Sequence, residues 1–251
     1  MSSPHPIGQP FIELLSVEST NNYAMGLARA GMAQHGTVVF THEQTRGKGQ
    51  RSKAWVSQKD MNIAMSILVE PKNLIVSELF LLSMMVAVGV RQLLFSYVEE
   101  DIKIKWPNDI YWRDRKAAGI LIENVWQGSE WKFAVIGIGI NINQTDFGTL
   151  NSKAISLKEI TGKHFELVLL AKELCKILDE KYQLLTSDPS QIIQQYKTHL
   201  YKLNEQVKLK KDSRVFEATF TDVTSNGQMV AYHAIEEKFD VGEVEWLING
   251  G

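Results

Sequence analysis

The sequence predicts an α+β fold: a mixed β-sheet domain with helices packed on it, followed by a small C-terminal β-barrel. Three observations carry that prediction. Up to about residue 202, runs with the period-2 alternation of strands are interspersed with runs of helical period. Within the second kind, residues 166–185 place Leu167, Leu170, Leu174, Ile177, Leu178 and Tyr182 on one face, an amphipathic helix. From Leu203 onward the helical period disappears and short alternating runs separated by turn residues take over. The organisation read from this is a domain over 1–202 and a second over 203–251.

Composition bounds the rest. A chain of 251 residues with 44% apolar content can bury a full core. Its 27 basic and 29 acidic residues leave a formal charge of −2, so there is no global field to draw nucleic acid or anionic membrane. Any anion site must be local. Cys175 is the single cysteine, which excludes an intrachain disulfide framework. Among Leu174, Ile177 and Leu178 it reads as a buried, inert thiol, and a reducing cytoplasm fits. The opening MSSPHPIGQP lacks the basic-then-apolar layout of a signal peptide. The most apolar run, 79–90, is broken by Arg91-Gln92 and reads as too short to span a bilayer. The expectation is a soluble cytoplasmic protein without DNA or membrane partners.

Taken in order, residues 11–17 read as a strand. Ser19-Thr20-Asn21 opens a helix running to about Ala30, with Gly31 as its stop. Capping alone accounts for these residues; the same terminus also offers N–H donors and a hydroxyl to a polar ligand. Residues 36–42 form a second strand leading into EQTRGKGQRSKAW. There, four basic residues (Arg46, Lys48, Arg51, Lys53) and two glycines fall within eight positions. That composition suits a mobile surface loop whose backbone can approach an anion. It is not a Walker A loop, because no Ser or Thr follows Gly47-Lys48 and the spacer is missing. Residues 61–70 are a core strand. Residues 77–98 are a long buried helix capped by Ser77, with Phe80, Met84, Met85 and Phe95 as core filler.

The stretch 103–123, KIKWPNDIYWRDRKAAGILIE, reads as two extended runs separated by a polar turn. Pro107 interrupts pairing, with Asn108 and Asp109 at the break. Asp114-Arg115 make a second turn, and 117–122 enters the interior. Lys116 stands at that entrance, either a snorkelling strand-end lysine or a cation at a pocket mouth. Residues 131–143 form another strand ending IGIGININ. Gly137-x-Gly139 lacks the third glycine of a dinucleotide fingerprint. The pair instead removes side chains where a flat ligand could lie against the strand. Asn108 and Asn141 each carry the donor and acceptor that an adenine edge requires. A loop over 145–154, a short helix over 156–161 and helices over 166–185 and 189–200 follow. Runs at 207–210, 215–220, 229–232 and 244–247, with a hairpin turn at Ser225-Asn226-Gly227, make about five strands.

Lys105-Trp106-Pro107-Asn108-Asp109, Arg115-Lys116-Ala117-Ala118-Gly119-Ile120-Leu121 and Gly137-Ile138-Gly139-Ile140-Asn141 together resemble the catalytic core of the biotin protein ligases, also called biotin–[acetyl-CoA-carboxylase] ligases. The likeness covers residues 11–143 well and the remainder loosely. It implies a biotin/lipoate-ligase sheet domain with an SH3-like C-terminal domain. The implied activity is formation of biotinyl-5′-AMP from biotin and ATP with Mg²⁺, then transfer of biotin to a lysine of a biotin carboxyl carrier protein. Carried over by position, Ser19, Thr20, Asn21, Gln44, Lys48, Gly49, Gln50, Lys116, Gly119 and Leu121 would bind biotin. Lys48, Arg51, Asn108, Lys116, Gly137, Gly139 and Asn141 would serve ATP and the adenylate. Lys116 would be the catalytic cation, and Asp109 would orient substrate or take a proton. The loop departs from the family's Gly-Arg-Gly-Arg: here it is Gly47-Lys48-Gly49-Gln50, with Arg51 as a substitute guanidinium. No histidine spacing suggests a protein-held metal. The resemblance implies no repressor role, since the core begins by residue 11, and allows a homodimer. A lipoate ligase is the nearest alternative, and a non-catalytic sensor of biotin or its adenylate a more distant one. A nucleic-acid-binding reading rests on the basic loop alone.

Overall fold

The computed structural model describes residues 5–50, 53–71, 74–75, 78–99 and 101–247. Of the residues singled out in the sequence, Arg51 and Ser77 lie outside them. The first domain is a seven-stranded sheet in the order β1-β2-β3-β7-β6-β5-β4. Its strands are β1 (Phe11–Leu14), β2 (Val38–Thr41), β3 (Asn62–Val69), β4 (Ile102–Lys105), β5 (Asp109–Trp112), β6 (Arg115–Gln127) and β7 (Glu130–Asn141). Only β1 and β2 run parallel; all the other pairings are antiparallel, so the sheet is mixed.

Helix α1 (Thr20–Arg29) covers one face through a small cluster of Ala24, Val39, Leu68 and Val135. Helices α2 (Leu79–Val98), α4 (Leu167–Ser187) and α5 (Pro189–Thr198) cover the other, with the short α3 (Leu157–Thr161) beside them. Burial on both faces explains why β3 reads as an unbroken apolar run, NIAMSILV, without alternation. Ser66 is its one hydroxyl, and it is fully buried.

Four expectations change. Helix α2 has Glu78 at its N-cap position, with no side-chain capping bond. It continues through Arg91-Gln92 to Val98, so its 20 residues are long and apolar enough, by length and composition, to cross a bilayer. The helix lies in the core instead, with 61% of that window buried. Arg91 does not interrupt it because the guanidinium stays at the rim. Its Nε donates to Ile102 O at 3.1 Å and the group lies 4.2 Å from the centre of the Phe95 ring. Phe95 itself is exposed rather than core filler. In the central stretch there are three strands, not two. The chain reverses at residues 106–108, and Ile110 and Tyr111 bury as β5 between β4 and β6.

The second sheet, in the order β11-β10-β9-β8-β12, is antiparallel. It contains β8 (Gln206–Lys211), β9 (Arg214–Val223), β10 (Met229–His233), β11 (Ile235–Phe239) and β12 (Glu245–Leu247). This is consistent with an SH3-like barrel, although no β11–β12 pairing closes it among the described residues. β11 is the strand the sequence left unplaced: its IEEKF buries only Phe239, so no apolar alternation marks it.

The two sheets share one core. Trp106 Nε1 donates to Gly227 O at 2.9 Å, and Phe220, Val223 and Met229 belong to the same buried cluster as Trp106. Gly227 has φ of +92°, and a Cβ there would sit 2.3 Å from the Phe80 ring. Gly227→Ala should therefore destabilise the protein by about 1–3 kcal/mol, through backbone strain and displacement of Phe80. Urea unfolding of the variant measures this; an unchanged midpoint would mean the joint tolerates a side chain.

Candidate active site

The N-terminus of α1 meets the middle of the sheet with polar groups, and those groups must be satisfied there. Ser19 caps the helix, its Oγ accepting from Asn22 N at 3.5 Å. The Thr20 N–H donates to Gln44 Oε1 at 2.8 Å, and Thr20 Oγ1 lies 3.1 Å from the same oxygen. Ser66 Oγ is 2.6 Å from Asn21 Oδ1 and 2.7 Å from Thr20 Oγ1. An amide oxygen cannot donate, so the Ser66 hydroxyl proton goes to Asn21. Asn21 Nδ2 in turn donates to Glu123 Oε2 at 2.8 Å. A Cβ at Gly137 would lie 2.3 Å from Asn21 Oδ1, so that glycine makes room for the amide of Asn21.

The other pole is Lys116, whose Nζ lies 2.6 Å from Asp109 Oδ1. Its position follows from a bulge. Ile110 pairs with Ala118 but Tyr111 with Lys116, leaving Ala117 as the extra residue on β6. Ala117 and Ala118 are both buried, and the lysine stem runs over Gly119, where a Cβ would come within 3.0 Å of Cε. The backbone of Lys116 is held by its N–H to Lys153 O at 2.8 Å and by Ile155 N–H to its carbonyl at 3.0 Å. Asn141 Nδ2 lies 3.2 Å from both Lys116 O and Ile155 O. The amide of Asn141 is thus engaged by carbonyls that fix Lys116, and Asn141 does not line the cavity. Asn108 does line it, but its Nδ2 donates to Ile120 O while Ile120 N–H returns to Asn108 O. The expected adenine-edge geometry differs from this, since both side-chain amide donors serve the strand.

Between the poles lies a cavity of about 300 Å³. Ser19, Thr20, Asn21, Gln44, Lys48, Gly49, Gln50, Asn108, Asp109, Lys116, Gly119, Leu121, Gly137 and Gly139 all border it. The loop after Gln44 folds back on itself where it is described: Gly49 N–H donates to Lys53 O at 2.7 Å and Trp55 N–H to Gly47 O at 2.9 Å. This turns Trp55 inward across the facing glycines of β6 and β7, with a Cβ at Gly139 only 2.4 Å from the indole. Gly119 and Gly139 therefore admit Lys116 and Trp55, and the strand face is not bare as the sequence suggested. Trp55 Nε1 is buried without a hydrogen-bond partner among the described residues.

Sequence reasoning missed several wall residues, and also Ser66, which bonds Thr20 and Asn21 without bordering the cavity. Trp55 closes the basic loop and could have been found as the aromatic at its end. Ser66 was detectable as the single hydroxyl in an apolar strand. Val241, Gly242, Val244, Glu245 and Trp246 reach the cavity from the second sheet, which only the tertiary fold reveals. Lys105 also borders it, its Nζ 5.3 Å from the Trp246 ring centre and 5.5 Å from that of Tyr111. Burial pushes the Lys105 amine below the usual lysine range; Asp109 opposes that shift and Lys116 and Lys53 add to it. Among the described residues no three His, Cys, Asp or Glu side chains gather as metal ligands.

At the base of the loop, His42 Nδ1 meets Asp60 Oδ1 and Nε2 meets Glu13 Oε1, each at 2.8 Å. With a carboxylate at both ring nitrogens, both are served best as donors. The bond to Glu13, with that to Asp60, raises the pKa of His42 above its ordinary 6.5, against a smaller opposing effect of burial. His199 goes the other way: burial first, then Arg91 and Lys103, push it down to about 4.

Residues 14–141 match the biotin/lipoate A/B protein ligase family. The bifunctional ligase/repressor BirA of Bacillus spizizenii is 32% identical over 180 residues, covering 70% of this chain and 55% of the relative. The biotin–[acetyl-CoA-carboxylase] ligase of Mycobacterium tuberculosis is 30% identical over 129 residues, 50% of this chain and 47% of that one. The chain thus spans about half the length of these relatives. In fold, it is similar to the biotin protein ligase of Aquifex aeolicus solved with biotin and ATP, with a TM-score of 0.81, 24% identity and coverage of 95% of this chain and 99% of that one.

The two histidines predict stability losses on opposite sides of pH 6.5. A raised folded-state pKa at His42 gives stability that is complete below 6.5 and lost as pH rises through the folded value. A lowered one at His199 gives stability present above 6.5 and lost as pH falls toward 4. Unfolding free energy measured against pH should lose its alkaline-side decline in His42→Gln and part of its acid-side decline in His199→Gln. Unaltered profiles would contradict both assignments.

Proposed function

Because the chain belongs to the biotin/lipoate A/B protein ligase family, we propose that it activates biotin with MgATP to biotinyl-5′-AMP and passes the biotinyl group to a lysine of a biotin carboxyl carrier protein. One observation carries this reading: a single cavity holds a hydrogen-bonding cluster at one end and the Lys116–Asp109 pair at another. A ureido ring has two N–H donors and a carbonyl acceptor, which the Thr20–Asn21–Gln44 cluster can answer. The dithiolane of lipoate has none of these groups and would leave the cluster unpaired, a costly mismatch in a site built for hydrogen bonds. Biotin is favoured on that ground. The curated relatives named as biotin ligases support the same choice.

In the first step a biotin carboxylate oxygen attacks the α-phosphorus, and the bond to the bridging oxygen of pyrophosphate breaks. Negative charge gathers at the carboxylate–phosphate junction, where a fixed ammonium is worth more than a protein nucleophile. Lys116 is placed for that task. Its backbone is clamped by residues 153–155, and its side chain is stretched over Gly119. Mg²⁺ would enter with the ATP phosphates as part of the substrate. In the second step the acceptor lysine's amine attacks the anhydride carbonyl carbon and AMP leaves. Asp109, beside Lys116, can take the proton that the amine sheds.

Pyrophosphate release from MgATP, with biotin or lipoate supplied separately and no carrier protein, tests the substrate. Release dependent on biotin is expected. Release with lipoate alone would move the function to the sister activity, and silence with both would leave a binding protein. Lys116→Ala should lower the biotin-dependent rate by about 10²–10³-fold while leaving the unfolding midpoint near that of the native protein. A native-like rate in that variant would contradict the role of Lys116.

A further inference from the structure

Glu123 does not line the cavity, yet it contacts both a floor residue and a loop cation that do. On β6 it follows Gly119 and Leu121 at a spacing of two, so it shares their face. Its Oε2 accepts from Asn21 Nδ2 at 2.8 Å, and its Oε1 lies 3.8 Å from Lys48 Nζ. An asparagine amide has a donor end and an acceptor end, and its neighbours decide which way round it sits. Ser66 does not decide it, because a hydroxyl can donate to Oδ1 or accept from Nδ2 equally well. The carboxylate decides it, because it only accepts. Turning the amide over would set Asn21 Oδ1 against Glu123 Oε2, two acceptors without a proton between them. With Nδ2 held by Glu123, Oδ1 lies over Gly137, which borders the cavity.

We propose that Glu123 is a positioning residue that fixes the hydrogen-bond polarity of the Asn21 amide and ties Lys48 of the loop to the same end of the site. This rests on the reading that a ureido ring enters there. The cavity then presents an amide oxygen to a ligand N–H, and the loop cation is held beside it by the opposite charge. Such a residue governs the capture of biotin and not the chemistry at Lys116.

Two substitutions separate its contacts. Glu123→Gln keeps an oxygen that can accept from Asn21 but loses the charge that attracts Lys48 and no longer forces the amide one way. Glu123→Met removes both contacts at similar size. In biotin-dependent ATP–pyrophosphate exchange, KM for biotin should rise roughly ten-fold or more in Glu123→Met, as loss of a hydrogen bond to a charged group implies. It should rise less in Glu123→Gln, while kcat and KM for ATP stay within about two-fold. A general structural role would instead lower kcat and the unfolding midpoint together. An unchanged KM for biotin in Glu123→Met, or equal falls in kcat in both variants, would overturn the proposal. The NMR signals of the Asn21 side-chain NH₂ give a readout independent of activity. They should shift on Glu123→Met and less on Glu123→Gln, and an absence of shift would overturn the proposal even if the native protein proved inactive with biotin. Absence of biotin-dependent exchange in the native protein, with the NMR shift present, would remove the functional reading and leave the positioning of Asn21 standing.

Discussion

The Asn21 amide sits where α1, β3, β6 and β7 converge, and the structure around it follows from the need to satisfy a buried polar group. Its oxygen is met by Ser66 on β3 and its nitrogen by Glu123 on β6, with the space above supplied by Gly137 on β7. An amide left unpaired at that depth would cost about 1–3 kcal/mol. These residues are therefore constrained together: a hydroxyl within an apolar strand, an acid at the end of an apolar run, a glycine in a sheet. Each looks misplaced for packing alone. Together they make a rigid polar floor, reached from above by Gln44 through Thr20.

The Lys116 end obeys a related constraint. The bulge at Ala117 buries two successive alanines and brings the lysine over Gly119. The segment 153–155 then pairs with the backbone of Lys116 and fixes where its side chain starts. Neither pole is complete without distant chain. Val241 to Trp246 arrive from the second sheet, which is locked to the first by Trp106 and Gly227. The small sheet is thus a wall of the site as well as a separate layer, and stability at its joint bears on the shape of the cavity.

Much of this was legible in the sequence because it follows from local physics. Period-2 and helical runs placed most elements within a few residues, and Ser156 forms the reciprocal capping box with Glu159 at the predicted short helix. Three departures have physical causes. Asp109 to Trp112 escaped as a strand because Pro107 and the polar pair after it dominate a local reading, whereas pairing with β4 and β6 decides the outcome. The run 79–90 read as too short to span a bilayer because Arg91 was counted as its end; the carbonyl of Ile102 and the Phe95 ring hold Arg91 within a helix that is long and apolar enough by length and composition. The glycines of β6 and β7 signalled close approach correctly, but the approaching groups are Lys116, Trp55 and Asn21, which only the fold brings together. The walls contributed by residues 241–246 left no local trace at all.

A neutron crystal structure of the protein with biotin bound would test the account most directly, because it locates the amide hydrogens and so reads the polarity of the site along with its location. The bicyclic ring should lie at the Thr20–Asn21–Gln44 end, with a ureido N–H donating to Asn21 Oδ1 and the Asn21 Nδ2 still on Glu123. The valerate carboxylate should extend toward Lys116. A ring at the Lys116 end, or biotin bound with Asn21 turned away from Glu123, would contradict it.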